Sequence, residues 1–176
     1  MIVEIVTTGS ELLLGQIINT NSAYMAAGLN EQALSRADIV ITSGGLGPTQ
    51  GDITKEVCAG IFGRKLYLHE ESLDRIKAHF QHIQKEMADN NVRQAMIPEG
   101  AVVFKNYAGT APGLALEDNG RLLVNLPGPP SEMKDMFERS LKPYLEEKYG
   151  FDSVIVSRVL DTFGIGESSL ETLIRD

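Results

Sequence analysis

The sequence predicts an α/β protein with a largely parallel sheet covered on both faces. Three observations carry this expectation. Short β-branched apolar runs end in glycine, at 2–9 (IVEIVTTG) and 37–45 (ADIVITSGG). Stretches with apolar residues at helical spacing follow them. Glycine and proline punctuate the junctions. With 17 glycines and 43% apolar residues in 176, the chain has room for one ordinary domain and the start of another.

Taken in order, 2–9 is a buried strand. Ile17, Ile18, Tyr24, Met25 and Leu29 fit a helix over 17–29, capped by Asn19, Thr20 or Asn21. The second strand is 37–45. Ile53, Val57 and Ile61 then predict a helix over 53–62 that stops at Gly63. A longer amphipathic helix covers 70–88, with Leu73, Ile76, Phe80, Ile83 and Met87 on one face. Residues 90–113 read as irregular around a short strand, Val102–Phe104. Leu114–Glu117 and Leu122–Leu126 flank Asn119-Gly120, a dipeptide that favours the tight hairpin turn matching strand twist. Pro129-Pro130 opens a helix carrying Met133, Met136, Phe137, Leu141 and Leu145 to a stop at Gly150. Residues 151–176 are expected to begin a second, small domain that is cut short, with 1–150 as the first.

Net charge is −8, from 24 acids against 16 bases. Non-specific nucleic-acid binding needs clustered Lys and Arg and is not expected. A phosphorylated small molecule remains compatible, since backbone N–H groups and a divalent metal hold phosphate without a basic surface. No apolar run reaches the roughly 18 residues of a membrane span, and the first residues carry Glu4 and no basic n-region. One cysteine excludes an internal disulfide framework. A cytoplasmic protein is expected.

Three glycine turns follow strands and precede helices: TTGSE (7–11), TSGGLGPT (42–49) and LPGPPSE (126–132). In open α/β sheets, ligands bind outside the carboxyl ends of the strands. Glycine admits a ligand to the backbone, and a helix start offers unpaired N–H groups. Neither a Walker loop nor a dinucleotide fingerprint is present. Asp52 has two compatible readings: a cap on the helix at 53, or a carboxylate holding Mg²⁺ against phosphate oxygens.

Residues 7–26 (TTGSELLLGQIINTNSAYMA), 37–56, 91–101 (NVRQAMIPEGA), 109–113 (GTAPG), 126–133 (LPGPPSEM) and 157–171 closely resemble the amino-terminal region of the competence/damage-inducible CinA family. That region has the molybdopterin-binding fold shared with MoaB- and Mog-like molybdenum-cofactor proteins. The resemblance implies a three-layer α/β/α fold. It also implies metal-dependent hydrolysis of ADP-ribose to AMP and ribose 5-phosphate, with Mg²⁺ or another divalent cation as cofactor. Many members add a nicotinamide-mononucleotide deamidase domain, which nothing in these 176 residues matches. A strand, loop and helix of the family have no counterpart near 30–34. Deletion would expose a core edge, so the segment is expected to be left out of the chain as numbered.

On this resemblance Asp52 and Glu132 are the candidate catalytic residues, with Asp52 the metal ligand. Gly9, Ser10, Glu11, Asn19, Asn21, Ser43, Gly44, Gly45, Gly47, Thr49, Arg93 and Gly128 are assigned to substrate. Each keeps a plainer reading: tight turns for the glycines, caps for the asparagines, and dipole complementation for Glu11 and Glu132. Arg93 and Gln94 reach phosphate or base, or lie in a solvated loop. Lys55 neutralises phosphate or faces water. His79, His82 and Glu86 fall outside the apolar stripe, which argues against a metal site there. Cys58 is read as helix packing. A homodimer is expected by analogy. Two other functions stand beside hydrolysis: a molybdopterin- or nucleotide-binding module without chemistry, and nucleotidyl transfer to a pterin.

Overall fold

The structure, a computed structural model, describes residues 1–7 and 32–150 together with Thr172. The expected helix over 17–29, Gly9, Ser10, Glu11, Asn19, Asn21 and almost all of the second domain lie outside the described residues.

Seven strands are described: β1 Val3–Thr7, β2 Ile39–Ser43, β3 Leu66–Leu68, β4 Met96–Pro98, β5 Val102–Phe104, β6 Gly113–Asp118 and β7 Arg121–Leu126. Five form one sheet in the order β1-β2-β7-β6-β5, and β3 pairs with β4 apart from it. β1 runs parallel to β2, with Ile5 opposite Ile41, and β2 runs parallel to β7, with Ile41 opposite Val124. β6 and β5 continue antiparallel. Among the described residues the sheet thus has a parallel half, β1-β2-β7, and an antiparallel half that includes the expected 114–126 hairpin. The hairpin turns at Asn119-Gly120, whose φ values of 50° and 75° reverse the chain within two residues.

The period of two along β2 and β7 builds the layers. Ile39, Ile41, Leu122 and Val124 pack with Met136 and Leu141 on one face. Val40 and Leu123 pack with Cys58, Ala33 and Leu34 on the other. Leu122 and Leu123 are both 0% exposed, so the sheet is covered on both sides. Each such side chain contributes about 1.5–3 kcal/mol by burial.

α1 spans Thr54–Ile61. It closes by a Schellman pattern in which Gly63 N–H donates to Gly60 O and Arg64 N–H to Ala59 O. α2 spans Glu70–His82 and starts on His69, whose ring nitrogen accepts the Ser72 amide. It ends six residues before the expected 88. Gln84 takes the left-handed conformation at φ 54°, with Lys85 N–H donating to Phe80 O and Gln84 N–H to Gln81 O. A seven-residue 3-10 helix, Asp89–Ala95, occupies part of the stretch expected to be irregular.

α3 (Pro130–Met136), a π-helical turn (Phe137–Leu141) and α4 (Lys142–Tyr149) follow without a break. Met136 and Leu141 lie five residues apart yet share one core cluster. An α-helix would splay them by about 140°, and the i→i+5 turn aligns them. Pro143 follows, with no N–H to continue the ladder behind it. Phe137, expected on the apolar face, is 37% exposed.

Candidate functional site

Two of the three predicted glycine turns meet where β2 and β7 end side by side. Gly44 N–H donates to Leu126 O at 2.9 Å, and the Ser43 hydroxyl donates to Pro127 O at 3.0 Å. Beyond them opens a cleft of about 700 Å³, whose lining includes Gly44, Gly45, Gly47, Asp52, Gln94, Thr110, Gly128 and Glu132. The structure thus brings both predicted catalytic carboxylates and four predicted substrate-binding glycines to one place. Ser43 and Thr49 serve the walls instead.

The glycines differ in why they are glycine. Gly45 has φ +69°, and a Cβ on it would stand 2.1 Å from Thr54 Oγ1. On Gly47 a Cβ would stand 2.5 Å from Asp52 Oδ2. Backbone conformation and Thr54 exclude a side chain at Gly45, and one at Gly47 would have to displace the Asp52 carboxylate. Gly128 lacks a left-handed φ, and its Cβ would meet only Gly44 Cα, at 3.4 Å.

Asp52 does not cap α1. The capping position is Ile53, with no side-chain hydrogen bond. Asp52 Oδ2 instead accepts the Thr49 backbone N–H at 2.9 Å and the Thr49 hydroxyl at 2.5 Å. The carboxylate closes the 49–52 turn upon itself.

Arg93 is spent on the protein. Its guanidinium donates to Thr49 O at 2.6 Å, Asp52 O at 3.3 Å and Glu56 Oε1 at 2.9 Å. Lys55 fits neither of its expected readings. It is 2% exposed, and Nζ donates to Arg93 O and Gln94 O, both at 2.8 Å. Burial pushes its ammonium down to about 8. Lys55 and Arg93 together clamp α1 and the 49–52 turn to the 3-10 helix.

Asn106 is a residue that sequence reasoning missed. Its Nδ2 donates to Glu132 Oε2 at 2.7 Å and to Ala111 O at 2.9 Å. Its Oδ1 accepts the Ala108 and Gly109 amides. It folds the 106–111 loop onto Glu132, and Gly109 lies so close that a Cβ would stand 2.2 Å from Glu132 Oε2. An Asn heading a glycine-rich stretch was the available signal.

Cys58 is packing, as expected. Burial pushes its thiol up to about 12, and Asn125 Nδ2 lies 3.2 Å from Sγ. His79 and His82 line a separate cleft of about 640 Å³ along α2, with Arg75, Lys105 and Tyr107. Among the described residues, no group of three or more His, Cys, Asp or Glu side chains is placed to hold a metal ion. Among the described residues, the glycine cleft offers carboxylates from Asp52 and Glu132, one oxygen of each already hydrogen-bonded. Such a donor set fits a divalent cation only where a ligand's phosphate and water complete the coordination. Among the described residues, no helix is long and apolar enough to cross a membrane.

The chain is similar to several known proteins. The family described as "Probable molybdopterin binding domain" matches residues 29–147. A "Putative competence-damage inducible protein" of Acetivibrio thermocellus is 49% identical over 196 positions, covering 98% of this chain and 47% of that protein. One of the same description from Clostridium beijerinckii is 47% identical with the same coverage. The chain spans about half the length of these relatives. The alignment is longer than the 176 residues here, so the first relative has residues without counterpart in this chain. A crystal structure of the protein CinA, of unknown function, from Thermoplasma acidophilum superposes with a TM-score of 0.66 at 29% identity, covering 80% of this chain and 97% of that one.

These findings correct one expectation. The relatives bear the names of competence-damage inducible and CinA proteins and of a molybdopterin-binding family, not of ADP-ribose pyrophosphatases. The ADP-ribose pyrophosphatase assignment is therefore withdrawn. With a match over well more than half its length, the chain belongs to the family of probable molybdopterin-binding domains.

Proposed function

We propose that the chain is a binding domain for a phosphorylated pterin of the molybdopterin type, held in the cleft where β2 and β7 end. Gly128 is the observation that carries the reading. Packing and backbone geometry account for Gly45 and Gly47, but nothing of that kind excludes a side chain at Gly128. A bare backbone on the wall of a cleft suits close approach of a ligand. The family's description supports the pterin as that ligand.

The phosphate lies against the glycine backbone of the two turns, and the ring lies deeper, toward Gln94. A divalent cation enters only with the phosphate, beside Asp52 and Glu132. Fluorescence titration with a pterin 6-methyl phosphate tests this. Saturable binding is expected, weakened about tenfold or more by Gly128→Leu with an unchanged melting temperature. Absence of saturable binding by the wild-type chain rejects the reading.

A further inference from the structure

The cleft along α2 lies outside the glycine turns, and its walls follow two sequence periods. Arg75, Ala78, His79 and His82 line it from the helix, at spacings that put them on one face. Ala101, Val103 and Lys105 line it from β5 and its flanks, every second residue and so on one face of the strand. From Arg75 to His82 the helical wall rises about 10 Å. About 640 Å³ lies between the walls, the space of a small-molecule site rather than of a single ion.

The charge of this cleft is opposite to that of the whole chain. Net charge is −8, yet the lining sets Arg75, Lys105 and three histidines against one acid, Glu71. The charged atoms themselves stand at the walls. Arg75 Nη2 donates to Asn106 O at 3.3 Å, and Cζ lies 5.2 Å from the centre of the Tyr107 ring. Both of those partners line the cleft. Lys105 Nζ lies 2.9 Å from Glu71 Oε1, on side chains that are each about half exposed. Lys105 thus meets a carboxylate, whereas Arg75 is held by a carbonyl and a ring, neither of which neutralises a full positive charge. His69 is occupied in capping α2, where its ring nitrogen accepts the Ser72 amide.

The geometry points to this cleft as a second ligand site, for a small organic phosphate. Its phosphate lies on the Arg75 guanidinium with Lys105 beside it, and its apolar body lies along Ala78, Ala101 and Val103. A guanidinium presents a fork of donors that matches phosphate oxygens. Inorganic phosphate would leave the apolar part of the walls in water. Among the described residues, the two clefts have Thr110 alone in common, so each can be filled or blocked without the other.

The test titrates the isotopically labelled chain with phenyl phosphate and with inorganic phosphate, read by amide chemical shifts. Phenyl phosphate is expected to shift the amides of 75–82 and 103–107, and to bind about tenfold or more tightly than inorganic phosphate. Arg75→Gln should weaken it about tenfold or more, and Glu71→Gln, which releases Lys105, should strengthen it. Gly128→Leu should leave it unchanged. Melting temperatures show which variants fold. Where Arg75→Gln does not, the exposed Glu71→Gln and the comparison of probes decide. Equal affinity for the two probes, a folded Arg75→Gln with wild-type affinity, or weaker binding by Glu71→Gln overturns the proposal. So does binding of neither probe. Shifts centred on 44–47 and 128, abolished by Gly128→Leu, would put the phosphate in the glycine cleft and also overturn it. Each of these outcomes leaves the pterin reading standing.

Discussion

Gly47 and Asp52 are pressed together: a Cβ on Gly47 would stand 2.5 Å from Asp52 Oδ2, the oxygen that Thr49 holds twice. Gly47→Ala must push that carboxylate off Thr49. A loss of about 1–2 kcal/mol is expected. Asp52→Ala should cost a similar amount, and the double variant little more than either alone, because both remove the same hydrogen bonds. Chemical denaturation of the three variants measures the cycle. Full additivity would mean that the two residues act separately.

Arg93 is a clamp with three acceptors in different directions, a geometry that a lysine ammonium on a flexible stem does not reproduce. Arg93→Lys is expected to destabilise by about 1–2 kcal/mol. It should also speed amide exchange in 49–52 more than in β7. Unchanged exchange in that turn would remove the clamp from the account.

Lys55 carries a pH signature. Unfolded, it holds its proton to about 10.5; folded, only to about 8. Below 8 both states are protonated and the burial penalty is fully present. From 8 to 10.5 the unfolded chain binds a proton that the folded chain has released, so stability rises with pH. Relative to Lys55→Met, the wild type should gain up to about 1.4 kcal/mol per pH unit across that window. Denaturation of both proteins at pH 7 and pH 10 reads the difference. A constant gap would show that the folded ammonium is not perturbed.

Gln84 sits at φ 54° where α2 stops. Glycine has no steric penalty there, so Gln84→Gly is expected to raise stability by up to about 1 kcal/mol. The same change at Gln81, inside the helix, should lower it by about as much. Thermal melting of the two variants gives opposite signs, or the capping assignment fails.

The contrast between Gln84 and Gly63 shows what the sequence could reveal. Both close a helix by the same hydrogen-bond pattern, but only glycine announces it, so α1 was legible and the end of α2 was not. The hairpin at Asn119-Gly120 was legible because few other dipeptides accept two left-handed residues in a row. β3 and β4 have three residues each, too few for a period to show. In the cleft, the glycine turns and both acids could be read from their places at strand ends. Lys55 could not, since a basic residue beside a phosphate-suited turn reads as ligand-facing until its burial is known. Arg93 acts through contacts 37 to 44 residues away, which no local pattern encodes, and for Asn106 the glycine-rich stretch behind it hints at the loop but not at Glu132, 26 residues on.

The side-by-side pairing of β2 and β7 has a kinetic consequence. Thr42 donates to the carbonyl of Val124, 82 residues along the chain. Closing so long a loop is entropically costly and slow, so this pairing is expected among the last contacts to form. The cleft has one wall from each strand's end and does not exist before that event. A ligand captured there would report completed folding, and by mass action would hold the final strand in place.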